Sequence, residues 1–287
     1  MKLSVVIATR DRAELLAGAL AALRAQTGAP EYELIVVDNG SRDATKAIAE
    51  RFESRYAFVA EPNRGKARNA GIALASGETI VFVDDDVVVP PHFLAAHAAA
   101  HAAGGARAVS GPIVNVPSAG ERPEPTAANY SRAFFVTCNV SVNTAALRAV
   151  GGFDEAFNLY GWEDTELGAR LREHGVRRGF AWDAYLWHIK PPTPQTLDEM
   201  LVKAIEKARM AARFVRKMPN LRVKLATGAY GANLARARVL APPVLQPFLA
   251  GIAAAEGLPL PVRSLAREAL LDNVYTNELM RALRAAD

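Results

Sequence analysis

The chain has 287 residues, 51% hydrophobic and 22% charged, with 34 Lys and Arg against 30 Asp and Glu for a net charge of +4. The apolar content excludes disorder, and a single cysteine, Cys138, excludes a disulfide-stapled secreted fold. The small charge, with no run of five or more Lys or Arg, gives no reason to expect nucleic acid.

Residues 3–8 (LSVVIA) are a short apolar run rich in β-branched side chains, the pattern of a buried parallel strand. Met1-Lys2 leads straight into it with no signal-peptide pattern, so a reducing, cytoplasmic setting is expected. Asp11 with Glu14 three residues on has capping-box spacing and predicts a helix over residues 12–25. Residues 34–37 (LIVV) predict a second strand, ending at the turn signal Asp38-Asn39-Gly40. Ser41 or Asp43 can cap a helix running to Phe52. Residues 56–60 predict a third strand and residues 65–75 a third helix. Residues 79–83 (TIVFV) predict a fourth strand that runs into Asp84-Asp85-Asp86.

Repeated β-α units with continuous apolar strands predict an α/β fold with a mostly parallel, Rossmann-like sheet and helices on both faces. Right-handed crossovers put the carboxyl ends of the parallel strands on one edge, where ligands bind in such sheets. Thr9-Arg10-Asp11, Asp38-Asn39 and the three aspartates should therefore meet in one crevice.

From residue 106 to 189 the elements are mixed. The alanine-rich stretch 95–106 predicts a helix ending at Gly104-Gly105, a short helix from Thr144 closes at Gly151-Gly152, and residues 162–174 predict another. Residues 181–188 look extended. Pro191-Pro192-Thr193-Pro194 breaks the chain and suggests two domains, 1–190 and a helical extension over 191–287. In the extension, Leu197, Leu201, Ala204, Ile205, Ala208, Ala212 and Val215 recur at helical spacing. Residues 196–218 form an amphipathic segment with several basic side chains. It suits either an anionic membrane surface or packing on protein, including an oligomer contact. Residues 239–255 carry no charge over 17 positions. They contain three prolines and fall short of the ~20 apolar residues of a membrane span, which leaves an interfacial contact as the membrane option.

Several groups could carry chemistry. Three successive carboxylates repel one another, so Asp84-Asp85-Asp86 reads as oxygen ligands for a hard divalent cation shared with a phosphate-bearing substrate. The other reading is a solvated loop with capping aspartates. Asp38 could accept hydrogen bonds from a nucleoside or simply form its turn. Residues 63–71 (NRGKARNAG) open the third helix with cations suited to a diphosphate, or are a solvated basic surface. Neither a P-loop nor a GxGxxG after a strand is present. Glu163-Asp164 could supply a general base or cap a helix. His188 could complete a metal shell or be structural.

Four landmarks stand in order: VVIATRDR at 5–12, IVVDNGSRDAT at 35–45, NRGKARNAG with FVDDDVVVPP within 63–91, and GGFDE followed by GWEDTELGARLREHG within 151–175. On them the chain resembles a family 2 glycosyltransferase of the GT-A fold over residues 1–190. The resemblance implies that Thr9, Arg10 and Asp38 meet the nucleoside of a sugar nucleotide and that Arg68 lies along the donor. Asp84 and Asp86 become the two acids of the DxD motif, with Asp85 beside the donor. Asp86, His188 and Asp84 would hold Mn2+ or Mg2+. Asp164, paired with Glu163, resembles the catalytic base, and Trp162 and Asn139 would approach the acceptor. Asn39 where the family often has an acid, and Arg10 where an aromatic is common, are departures that bear on the base contacts. The implied function is inverting, metal-dependent transfer from a nucleotide sugar, a UDP-sugar first, to an acceptor hydroxyl in polysaccharide, glycolipid or other glycoconjugate synthesis. It would occur in the cytoplasm, with peripheral contact at the inner face of the membrane as an option. The implied partner is a sugar, lipid-linked or other hydroxyl acceptor; a second copy of the chain is a further option. The alternatives are a catalytically silent sugar-nucleotide-binding scaffold and a sugar-nucleotide nucleotidyltransferase. The latter wants a glycine-rich basic loop where this chain has Thr9-Arg10-Asp11.

Overall fold

The computed structural model describes every residue except Ala103, Pro191, Thr193, Pro194, Ala286 and Asp287. The expected break at Pro191-Pro192-Thr193-Pro194 thus lies largely outside the described residues. Two compact units are present: Met1–Asn158 with Glu163–Pro192, and Leu159–Trp162 with Thr193–Asp287.

The first unit opens with β1 (Leu3–Thr9), α1 (Ala13–Arg24), β2 (Tyr32–Asp38), α2 (Thr45–Arg51), β3 (Arg55–Phe58), α3 (Arg64–Leu74) and β4 (Thr79–Val83). It continues through β5 (Val87–Val88), α4 (Phe93–His101), β6 (Arg107–Ser110), β7 (Ile113–Val116), β8 (Asn139–Asn143) and α5 (Thr144–Ala149). It closes with α6 (Glu163–Glu173), β9 (Arg177–Phe180) and β10 (Leu186–Ile189). Seven strands make one sheet in the order β3-β2-β1-β4-β8-β6-β9, and β5-β10-β7 make a small second sheet. The first four strands of the large sheet are parallel, and β8 runs antiparallel to both β4 and β6.

The pleat of β1 explains the layering. Val5 and Ile7 pack with Leu16, Leu20 and Leu23 of α1 and with Phe93 and Leu94 of α4. Val6 points the other way, to Ala67 and Ile72 of α3 and to Leu167 and Leu171 of α6. Helix α3 lies so close to the sheet that a Cβ on Gly71 would come within 2.4 Å of the Val6 side chain.

Two details depart from the sequence reading. Asp11 does not cap α1: its φ is 52° and its carboxylate accepts from the Arg42 N–H at 2.8 Å. Asp43 does that work from the next loop, accepting from Ala13 N at 2.9 Å and Thr45 N at 3.0 Å, so one acid serves the first turns of both α1 and α2. Those bonds outweigh the opposing effect of burial and lower its pKa. Strand β8, with its polar alternation NVSVN, was not singled out.

The second unit contains α7 (Leu197–Lys217), α8 (Leu221–Thr227), α9 (Gly231–Leu240), α10 (Gln246–Ala254) and α11 (Leu260–Arg284). Thr196 and Glu199 form a full capping box at the start of α7. The apolar face of α7, including Ala208, Ala211, Ala212 and Phe214, is buried, and α7 packs on α11. The amphipathic segment at 196–218 therefore packs within its own unit. Among the described residues no single helix is long and apolar enough to cross a membrane.

Candidate active site

The parallel strands deliver Thr9 and Asp38 side by side, in register at the ends of β1 and β2. Asp84-Asp85-Asp86 leaves β4 at the same edge. Because β8 is antiparallel to β4, with Asn139 opposite Val83, it begins where β4 ends. Thr137 and Cys138 thereby join the strand-end acids. His188 arrives on β10, opposite Val87 of β5.

The three aspartates are not equivalent. Asp85 turns into the fold: Thr9 Oγ1 donates to its Oδ2 at 2.7 Å and Arg12 Nη1 to its Oδ1 at 3.1 Å. Burial raises its pKa, against the pull of Thr9 and Arg12. Asp86 accepts from Arg12 Nη1 through Oδ2 at 3.0 Å, while its buried Oδ1 has no hydrogen-bond donor and lies 3.1 Å from His188 Nε2. Burial pushes the Asp86 pKa up, but His188 and Arg12 bring it below the usual carboxylate range. Asp84 is pushed up by burial, which Arg68 opposes and the neighbouring Asp86 and Asp164 reinforce.

Ligand atoms of Asp84, Cys138 and His188 lie within 4.8 Å of one another. Burial and the nearby acids push the Cys138 thiol well up. Thiolate suits softer metals than Mn2+ or Mg2+, so for such an ion the donors at hand are the oxygens of Asp84 and Asp86 and the imidazole of His188. Two ligand atoms on neighbouring vertices of an octahedral divalent ion lie about 3 Å apart. Asp86 Oδ1 and His188 Nε2, 3.1 Å apart, have the separation of two such neighbouring ligands, and a carboxylate and imidazole donor set suits Mn2+ with Mg2+ second.

Glu163 and Asp164 open α6, where the helix dipole favours acids. Asp164 Oδ2 accepts from Thr137 N at 2.9 Å and Thr137 Oγ1 at 3.0 Å, and its buried Oδ1 has no hydrogen-bond partner. Arg68 Nη1 lies 3.7 Å from that oxygen and 3.5 Å from Glu163 Oε1. Burial works against the Arg68 charge, but Asp164, Asp84 and Glu163 overcome it and hold the guanidinium cationic. Glu163 is raised by burial and then by Asp164.

The remaining expected residues are less available. Asp38 is buried, with Oδ1 accepting from Ser41 N at 2.7 Å and Oδ2 from Tyr56 Oη at 2.8 Å, so its turn-forming role is present. Arg10 is half exposed and pairs with Asp11 at 3.5 Å. Asn139 is fully buried. Its amide donates to Pro112 O at 3.1 Å and Ala184 O at 2.8 Å, and its Oδ1 meets His97 Nε2 at 3.0 Å, leaving no amide hydrogen for an acceptor. Trp162, at φ 74°, belongs to the helical unit, where its indole N–H donates to Lys207 O at 3.0 Å. Sequence reasoning missed Arg12 and Thr137 as partners of the acids. Only the antiparallel placement of β8, invisible in a pattern read as β-α repeats, could have pointed to Thr137.

A family model described as glycosyl transferase family 2 matches residues 4–153, and one described as the N-terminal domain of galactosyltransferase matches residues 124–190. Validoxylamine A glucosyltransferase of Streptomyces hygroscopicus subsp. limoneus is 33% identical over 264 residues, covering 76% of this chain and 57% of that protein. Chondroitin synthase of Escherichia coli is 27% identical over 239 residues, 66% of this chain and 35% of the other. The chain thus spans less than two thirds of the length of these curated relatives. Among solved structures, S. aureus TarS 1-349 in complex with UDP-GlcNAc superposes with a TM-score of 0.59 at 20% identity, covering 98% of this chain and 91% of that one. The mannosyltransferase PcManGT from Pyrobaculum calidifontis, in complex with GDP-Man and Mn2+, gives 0.63 at 21% identity, covering 97% and 86%.

Proposed function

Since the chain belongs to glycosyl transferase family 2 and has the GT-A fold, we propose that it transfers a sugar from a nucleoside diphosphate sugar to an acceptor hydroxyl, inverting the anomeric carbon. A UDP-sugar is the first candidate donor, and polysaccharide, glycolipid or other glycoconjugate synthesis the setting. The observation that carries this reading is the buried Oδ1 of Asp164, which makes no hydrogen bond and lies near Asp84, itself close to Asp86 and His188. The titles of the structural neighbours, with UDP-GlcNAc and with GDP-Man and Mn2+, support a nucleotide-sugar donor.

The chemical problem is cleavage of a sugar–phosphate bond with charge growing on the departing diphosphate. A Mn2+ or Mg2+ ion held by Asp86, His188 and Asp84 would neutralise that charge, an effect worth several kcal/mol. Asp164 Oδ1 accepts the proton of the attacking hydroxyl. Thr137 fixes the other oxygen and so the direction of the carboxylate. Arg68 keeps a positive charge next to three acids and would lie along the donor. A single displacement from the face opposite the leaving group needs no enzyme nucleophile and inverts the configuration.

Asp164→Asn tests the assignment. The expected result is a donor KM within a few-fold of wild type and a kcat lower by about 10²–10⁴-fold, the usual weight of a general base. Equal turnover in the two proteins would remove Asp164 from the role. A thermal-shift panel of UDP-, GDP- and dTDP-sugars with Mn2+ identifies the donor class.

A further inference from the structure

The charge-free segment at 239–255 is not buried by the fold. Helix α10 contributes no buried residue, and Val239, Leu240, Val244 and Phe248 are 76%, 68%, 77% and 66% exposed. Leu260 and Leu265 on the first turns of α11, which packs along α10, are 70% and 69% exposed. Isolated exposed apolar side chains are ordinary, but a run of this kind on neighbouring elements marks a binding surface.

Charge says what the surface fits. Between Leu221 and Asp272 lie Arg222, Lys224, Arg236, Arg238, Arg263 and Arg267 against three acids, Glu256, Glu268 and Asp272. Arg236 and Asp272 lie 3.7 Å apart and offset each other, which leaves an excess of three cations. Two copies of a segment with this excess of cations repel each other, whereas anionic headgroups attract it. The helix pair Leu221–Leu240 and Pro243–Ala254 is apolar enough to enter a bilayer but bends by 52°. Its first half carries Arg222, Lys224, Arg236 and Arg238, which favours lying in the interface over crossing it.

We propose that the α9–α10 segment and the start of α11 dock on an anionic phospholipid surface, with Phe248, Val244 and Leu240 entering the acyl boundary and the flanking arginines meeting lipid phosphates. The proposal does not depend on the donor or on catalysis.

Vesicle co-sedimentation of the full chain, without donor or metal, tests it. Phosphatidylcholine vesicles containing phosphatidylglycerol should pull the protein down, and pure phosphatidylcholine should do so weakly. Rising salt should release it. Phe248→Ser with Leu240→Ser should cut binding about tenfold. Arg236→Gln and Arg238→Gln should each cut it roughly fivefold on anionic vesicles at low salt. Because all four side chains face solvent, unchanged thermal unfolding checks that the variants are folded, and the arginine pair gives the same readout if the apolar pair does not fold. No binding to anionic vesicles at low salt overturns the proposal, as does binding that both variant pairs leave unchanged. A wild-type dimer in sedimentation equilibrium that Phe248→Ser dissociates also overturns it, in favour of a self-interface.

Discussion

At the scale of single residues, the acids of the crevice divide by how many of their oxygens are tied. Asp38 and Asp85 have both oxygens engaged by the fold, through Ser41 and Tyr56 in one case and Thr9 and Arg12 in the other. Asp86 and Asp164 have one oxygen tied by hydrogen bonds and one buried oxygen that makes none and faces only a cationic or imidazole neighbour, His188 at 3.1 Å and Arg68 at 3.7 Å respectively. A buried carboxylate oxygen that makes no hydrogen bond is costly; His188 and Arg68 offset part of that cost, and a ligand or a substrate proton would supply the rest. Thr137 then acts as a positioning residue for Asp164. Thr137→Val should keep the backbone bond, lose the hydroxyl bond and lower kcat about tenfold through misalignment, while Thr137→Ser restores it. A kcat unmoved by valine would deny Thr137 that role. The acids themselves were legible in the sequence as strand-end residues. Which of them were half-tied was not, because their donors lie 18 residues away for Tyr56 and 27 for Thr137, and 73 and 74 for Arg12.

Among elements, the parallel strands were readable because each is a short continuous apolar run, and β8 was not because NVSVN alternates polar and apolar residues. The α1 start was misread since Asp11 and Glu14 have the spacing of a capping box, whereas the acid that reaches α1 comes from the following loop. Asp43→Ala should therefore loosen two helices at once and cost about 1–2 kcal/mol of unfolding free energy, measured by urea titration; a change below a few tenths would contradict the double cap. Helix α4 is bound to β8 through His97, whose Nδ1 meets Ser141 Oγ at 2.8 Å, and His101, whose Nε2 meets the same oxygen at 2.9 Å. Burial lowers His97 to about 3 and His101 to about 4, from an ordinary value of 6.5. Both bind protons more weakly in the folded chain than in the unfolded one. Stability is therefore greatest above the unfolded value and falls as pH drops below it, by up to about 1.4 kcal/mol per pH unit for each histidine. His97→Gln, which keeps a side-chain amide near Asn139, should flatten that slope by about 1.4 kcal/mol per unit between about pH 6 and about pH 4. An unchanged slope would mean that His97 titrates normally in the native state.

For the molecule as a whole, the large sheet brings Thr9, Asp38 and the three aspartates to one edge and the small sheet adds His188, while in the helical unit Phe214, Leu270 and Leu279 are buried. The central claim is that Asp84, Asp86 and His188 hold a divalent ion and, with it, a nucleoside diphosphate. Calorimetric titration of UDP, or GDP where UDP is silent, into wild type and Asp86→Ala in the presence of Mn2+ or EDTA addresses that claim most directly. Wild type should bind with Mn2+ and lose at least about tenfold in affinity with EDTA, and Asp86→Ala, folded by thermal unfolding, should show the same loss with Mn2+ present, as expected when an ion's ligand is removed. Wild-type binding that ignores EDTA, or Asp86→Ala binding as tight as wild type in Mn2+, would contradict it.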